Sequence, residues 1–372
     1  MIKKLLILLI FSLPAFAFET DARYALLIDY NTDTILFEKN ANIPMYPSSM
    51  SKLMTAYVVF DRIKYHKLDM DNKFIISEKA WKKQGSKMFV HVGDRVSVRD
   101  LLMGVIVQSG NDACIALAEG IAGSEEEFAK LMNKKSKEIG LTDSHFVNAT
   151  GWPDEAHVMS SRDLALLAKR LIADYPEYYH LFSVKDFVFN DIKQGNRNIL
   201  LYRNIGVDGL KTGHTDIAGY GITVSAKRGD RRLILVVNGL ESNIKRANEA
   251  ERIFDYGFLN FDNITLAKKG KEIANIEVWM GRDKNFSVIA GEDIIVTIPK
   301  DRQKDLKLTL EHEFPLKAPI KVGDKIADLI VEVPGLFSKA YPILSNKEVK
   351  KLPFLSRIFV NAHYLLFGIK SK

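Results

Sequence analysis

The apolar positions of this chain change their spacing from one stretch to the next, and each change marks an element. Residues 50–63 are rich in helix formers, broken only by scattered β-branched positions, with Pro47 just ahead where a helix start tolerates it. An apolar run over residues 101–108 is followed by a helical pattern over 112–122, which predicts two helices joined through Ser109, Gly110 and Asn111. Residues 207–215 read as a strand, and residues 220–226 and 233–239 as two adjacent strands around the basic turn 227–232. A helical pattern returns at about 244–256. From about 261 to 342 short strands alternate with turns, as at 273–279, 293–299, 306–311 and 326–332.

The last stretch is amphipathic. Phe354, Ile358, Ala362, Leu365 and Ile369, with Leu355, Phe359 and Leu366, share one helical face, while Arg357, Asn361, Tyr364 and Gly368 take the other. Arg357, Asn361 and His363 interrupt it, and it is too short to span a bilayer comfortably. The expectation is a helix lying in the membrane interface, with docking on the protein's own core as the alternative.

At 372 residues the chain exceeds one ordinary domain, so two are expected. The pattern divides it into residues 1–17, 18–261, 262–345 and a tail, 346–372. The first 17 residues read as a secretory signal: Lys3 and Lys4, an apolar stretch over 5–13, and the small-residue site Ala15-Phe16-Ala17. No cysteine stands at the cleavage point, so a lipoprotein anchor is not expected. The formal net charge of +7 loses two lysines with the signal, and the tail holds six basic residues against Glu348. Residues 18–345 therefore balance to zero, which excludes the uniformly basic body that nucleic-acid binding favours. The excess instead draws the tail toward anionic lipid. The sole cysteine, Cys114, cannot form an internal disulfide and reads as a buried thiol. No H-E-x-x-H or other metal-ligand spacing occurs, and no cofactor is implied.

Three short motifs carry the chemistry. Ser49-Met50-Ser51-Lys52 places a hydroxyl and an amine three residues apart, on one face of a helix. Lysine is a base only when neutral, so burial and a nearby cation, with Lys211 the candidate, must lower its pKa. Ser109-Gly110-Asn111 supplies a second hydroxyl and an amide on a helix connection facing a cleft, unless the two merely cap the next helix. Lys211-Thr212-Gly213 lies in a strand whose glycine lets a substrate backbone approach, and Lys211, Thr212 and Thr215 offer a cation and hydroxyls to a carboxylate. The alternative there is an edge strand with a protective lysine. Ser242-Asn243-Ile244-Lys245 repeats the S-x-x-K spacing, so spacing alone decides nothing.

Order and context together resemble the low-molecular-mass penicillin-binding proteins, the D-alanyl-D-alanine carboxypeptidases of the serine β-lactamase superfamily, for which S-x-x-K and K-T-G are recognised signatures. The resemblance includes residues 108–114, 208–215, Asn196-Arg197-Asn198 and the C-terminal region. It implies an α/β (α+β) catalytic domain, an antiparallel sheet flanked by helices, followed by a small all-β sandwich. It also implies that Ser49 is the nucleophile and Lys52 its base, while Ser109 relays a proton with help from Lys52 or Lys211. Asn111 would hold a substrate amide. The backbone N–H groups of Ser49 and His214 would form the oxyanion hole, and Lys211, Thr212, Thr215, Arg197 and Arg246 would bind a terminal carboxylate, with Gly213 in close approach. The implied partners are the peptidoglycan stem peptide, β-lactams and, through the tail, the periplasmic face of the inner membrane. Residues 86–89 are expected on the cleft rim.

Other readings share these residues. A class A β-lactamase adds a glutamate in an E-x-x-L-N context, and none stands between Asn111 and Lys211. A non-catalytic peptidoglycan-binding scaffold has no need of five intact polar motif residues. An endopeptidase or transpeptidase differs only in the bond cleaved or the acceptor.

Overall fold

The computed structural model describes residues 18–367, so the secretory reading of residues 1–17 and the last five positions lie outside the described residues. Its central feature is a five-stranded antiparallel sheet in the order Ile35–Lys39, Tyr24–Asp29, Arg231–Leu240, Gly219–Arg228, Val207–Thr215. Side chains of a strand alternate between faces, and here both faces are covered. Leu233, Leu235 and Val237 join Phe254 and Ile253 under the helix Asn243–Asn260. Ile234 and Val236 point the other way, into a core shared with the helices Lys52–Lys64, Asn111–Ala122 and Ser161–Asp174. That two-sided burial is why residues 233–237 are continuously apolar. Each fully buried side chain of this size contributes about 1.5–3 kcal/mol.

The helix expected over residues 244–256 runs on to Asn260 and passes directly into the strand Phe261–Ala267. From there the chain is all β. A six-stranded sheet has the order Lys307–His312, Lys325–Val333, Phe337–Ser345, Asn285–Ala290, Glu272–Trp279, Leu316–Lys317, and Phe261–Ala267 pairs with Ile294–Pro299. Val288, Ile294, Val331 and Ile343 centre a separate core. The fold class is the expected one.

The tail forms the helix Phe354–Phe367. Phe354, Leu355 and Phe359 are exposed rather than packed on a core. No helix among the described residues is long and apolar enough to cross a membrane.

Candidate active site

Pro47 leads into a tight 3-10 turn, Ser48–Ser51, and the α-helix proper begins at Lys52. The turn is wedged between two backbones. A Cβ on Gly151, at φ +75°, would stand 2.0 Å from the Ser48 carbonyl oxygen, and one on Gly213 would stand 2.8 Å from that of Pro47. Only glycine permits these approaches. They leave Ser49 half-buried and Lys52 only 1% exposed.

The Lys52 ammonium spends its three donors within the site: 2.8 Å to Ser49 Oγ, 2.8 Å to Asn111 Oδ1 and 2.6 Å to the Thr150 carbonyl oxygen. None of these partners is a carboxylate. Burial pushes its pKa down to about 8, with the Arg197 and Lys83 charges helping and Asp112 opposing. Lys211, the cation expected to do this, is instead itself shifted well below the ordinary lysine value by its own burial and by Lys52.

Ser109 and Asn111 follow a π-helical turn, Gly104–Gln108. Ser109 sits in the left-handed region at φ 60°, a strained position of the kind found at functional sites, and its Oγ accepts from the Lys211 ammonium at 2.9 Å. Neither side chain caps the helix Asn111–Ala122, so the capping alternative fails. The Asn111 amide donates to the Gln84 carbonyl at 2.8 Å. Asp112, one residue on, accepts from the N–H groups of Met88 and Phe89, both at 3.0 Å. Through these bonds the helix start holds residues 84–89 at the cleft, as expected of a rim.

Val207–Thr215 is indeed an edge strand, yet Lys211 is only 3% exposed and turned inward, so it is not a protective surface lysine. Thr212 is buried beside it. The Thr215 hydroxyl lies 3.2 Å from Ser48 Oγ and accepts from the Ala218 N–H. The His214 ring is exposed and stacks on Tyr220 at 3.8 Å between centroids. Arg246 has a structural task beside its place on the cavity wall. It is buried, and its guanidinium donates to the carbonyls of Gly213, Gly221 and Arg197 and to Asn243 Oδ1, which braces the strand. Arg197 has no side-chain hydrogen bond among the described residues and lines the cleft.

Ser49 lies between two cavities. One, of about 460 Å3, is lined by Ser109, Arg197, Thr212, Gly213 and Arg246 and is strongly cationic. The other, of about 350 Å3, is lined by Gly85, Asn111, Thr150, Gly151, Trp152 and Asp216. The first suits an anion and the second an uncharged or mixed group.

Sequence reasoning missed Thr150, Gly151 and Trp152. Their signal was the Asn148-Ala149-Thr150-Gly151-Trp152-Pro153 turn chemistry: Asn148 Oδ1 accepts from the N–H groups of Thr150, Gly151 and Trp152 at 3.1, 2.8 and 3.1 Å. Cys114 is buried, and burial pushes its thiol up to about 12, which removes it as a nucleophile.

A family model described as D-alanyl-D-alanine carboxypeptidase matches residues 12–242, and one described as the C-terminal domain of penicillin-binding protein 5 matches residues 261–351. The chain is similar to the D-alanyl-D-alanine carboxypeptidase DacC of Escherichia coli, at 39% identity over 367 residues, 95% of this chain and 92% of the relative. It is similar to the crystal structure of penicillin-binding protein 5 from Haemophilus influenzae, with a TM-score of 0.82 and 37% identity over 90% of this chain and 99% of that one. Penicillin-binding protein D2 from Listeria monocytogenes, solved in an ampicillin-bound form, matches with a TM-score of 0.60 and 31% identity over 65% of this chain and 99% of that one.

Proposed function

This chain belongs to the D-alanyl-D-alanine carboxypeptidase family, and we propose that its chemistry runs through a Ser49 ester with Lys52 as the base. It is a serine-type D-Ala-D-Ala carboxypeptidase: it removes the terminal D-alanine of peptidoglycan stem pentapeptides, and β-lactams acylate it in place of the substrate. The observation that carries the residue assignment is a buried lysine amine 2.8 Å from a half-buried serine hydroxyl, with no carboxylate among its partners. With a pKa of about 8, roughly a tenth of it is neutral at pH 7, enough to accept a proton.

In this reading the substrate's terminal carboxylate enters the cationic cavity and meets Arg197, Thr212 and Lys211. The scissile carbonyl then lies over Ser49. Lys52 takes the hydroxyl proton as Ser49 Oγ bonds to the carbonyl carbon, and the oxyanion is received by the backbone N–H groups of Ser49 and His214. Ser109, hydrogen-bonded to Lys211, gives its proton to the departing D-alanine amine as the C–N bond breaks, and is reprotonated by the proton Lys52 had taken, which leaves Lys52 neutral again. Asn111, fixed between Lys52 and Gln84, keeps the amine aligned and faces the acyl-side amide. Water then attacks the ester carbonyl, neutral Lys52 takes its proton, and as the bond from the carbonyl carbon to Ser49 Oγ breaks Lys52 returns that proton to Oγ, which restores Ser49. Arg246 and Thr215 act on the backbone that shapes the site.

Mass spectrometry of a pentapeptide muropeptide incubated with the protein tests this. Loss of one D-alanine is expected, whereas cleaved cross-links or joined peptides would assign endopeptidase or transpeptidase chemistry instead.

The reading extends to location. Residues 1–17 would direct export and residues 18–261 would hold the site; residues 262–353, the β-domain with Val349 in its core, would stand it off the membrane, and the tail from Phe354 on would lie on the periplasmic face of the inner membrane. The exposed apolar side chains of Phe354, Leu355, Ile358 and Phe359 support the last assignment. Truncation belongs after Pro353, because Lys351 still pairs with Gly281 and the Leu352 N–H with the Met280 carbonyl. The full chain should bind anionic vesicles and the truncated one should not, with high salt weakening the binding without ending it, since apolar burial survives screening.

A further inference from the structure

A neutral lysine amine keeps two N–H donors and one lone pair, spread at roughly tetrahedral angles. When the Asn111 amide oxygen and the Thr150 carbonyl oxygen take the two donors, at 2.8 and 2.6 Å, the lone pair of Lys52 is left facing Ser49 Oγ, 2.8 Å away. The aim of the base is therefore only as good as the placement of those two oxygens. Asn111 is tied down through its own amide, which donates to the Gln84 carbonyl. The Thr150 carbonyl belongs to the backbone, and what fixes it lies across one peptide bond. In a planar trans peptide the C=O of one residue and the N–H of the next point in opposite directions. The Gly151 N–H donates to Asn148 Oδ1 at 2.8 Å, so the Thr150 carbonyl is turned to the opposite side, where Lys52 lies. The same oxygen accepts from the Thr150 N–H at 3.1 Å, the Thr150 hydroxyl at 3.0 Å and the Trp152 N–H at 3.1 Å, while Asn148 Nδ2 donates to the Trp152 carbonyl at 3.0 Å. Donors converging on one atom identify it as the oxygen, and these bonds leave the peptide no freedom to rotate.

We propose that Asn148 is a positioning residue for the reaction: by holding the Gly151 N–H it aims the Thr150 carbonyl at Lys52, and through that carbonyl the Lys52 lone pair at Ser49. The proposal rests on the reading of Lys52 as the base. Among the described residues Asn148 makes no hydrogen bond to Ser49 or Lys52 itself, so it acts through the Thr150–Gly151 peptide alone. The titratable and charged groups around Lys52 come from other elements: Asp112 and Cys114 on the helix Asn111–Ala122, Lys83, Arg197, Lys211 and, beyond the turn, His157. A change at Asn148 replaces none of them.

The test is stopped-flow acylation by a fluorescent penicillin between pH 6 and 9, with the full chain and three variants. Asn148→Ala should lower the high-pH plateau about tenfold, short of the 10²–10⁴-fold that loss of the base costs. It should also move the half-maximal pH down from about 8 by about half a unit, because the ammonium loses an acceptor that favoured the charged form. Asn148→Asp keeps an oxygen for all four donors and should recover most of the plateau, while its negative charge moves the half-maximal pH above that of the parent. Asn148→Gln keeps the amide but displaces its oxygen by a methylene; it should change plateau and half-maximal pH in the direction of Asn148→Ala, and it decides the matter if thermal melting shows Asn148→Ala unfolded. A plateau within about twofold of the parent in Asn148→Ala and Asn148→Gln would overturn the proposal. So would a loss with the half-maximal pH unmoved, which marks a merely structural turn, or an Asn148→Asp variant no better than Asn148→Ala. A parent protein that penicillin does not acylate would instead overturn the Ser49–Lys52 reading beneath it.

Discussion

The chain contains the four-residue pattern S-x-x-K twice, and the two copies have opposite fates. At Ser49-Met50-Ser51-Lys52 the lysine is 1% exposed and its ammonium reaches the serine hydroxyl at 2.8 Å. At Ser242-Asn243-Ile244-Lys245 the serine caps a helix, accepting from the Lys245 backbone N–H at 3.1 Å, and the lysine side chain is 52% exposed and paired with Glu241. Glu241 raises the Lys245 pKa, whereas burial lowers that of Lys52 to about 8. The same spacing thus yields a buried amine with a lowered pKa in one place and an exposed, ion-paired one in the other. The difference lies in what covers the lysine: Thr150, Asn111 and the glycine-tight packing of Gly151 on Ser48 in the first case, solvent in the second.

The sharpest way to break this comparison is to remove each serine. Ser49→Ala should abolish covalent labelling by a fluorescent penicillin, and Ser242→Ala should label like the parent protein. Persistent labelling of folded Ser49→Ala would falsify the nucleophile assignment. The lysines come next. Lys52→Ala should slow acylation by about 10²–10⁴-fold, the usual worth of a positioned general base, and Lys245→Ala should leave the rate alone. Stopped-flow acylation kinetics separate the two.

A pH profile sharpens the contrast further. The basic form of Lys52 is the active one, so the second-order acylation rate should climb as pH rises, reach half its maximum near pH 8 and level off above. A flat profile between pH 6 and 9 would point to another base. The smallest effect is on stability. Ser242→Ala removes a helix cap and should cost about 1 kcal/mol in denaturant unfolding without touching activity.

Much of the site was legible because chemistry-bearing residues are close in sequence. Ser49 and Lys52 are one turn apart, Ser109 and Asn111 flank one glycine, and Lys211 and Thr212 are neighbours on a strand whose apolar run announced it. The strands beyond Phe261 were legible for the same local reason, alternation between turns. Thr150 was not, because it acts through its backbone carbonyl, which every residue possesses. Asp112 was not, because its task of holding Met88 and Phe89 spans 24 residues of chain. The bracing task of Arg246 was not legible either, since an arginine on a helix looks alike whether its guanidinium meets solvent or the carbonyls of Gly213 and Gly221.

By itself the sequence determined which elements form and which residue types they carry, because periodicity, caps and turns are short-range and each is settled within a few residues. Only the tertiary structure decided which S-x-x-K lysine is buried against its serine, and which arginine has its guanidinium spent on backbone carbonyls. Those properties depend on burial and on charges brought together from the segments around residues 52, 83, 111, 150, 197 and 211, and no local stretch of chain contains them.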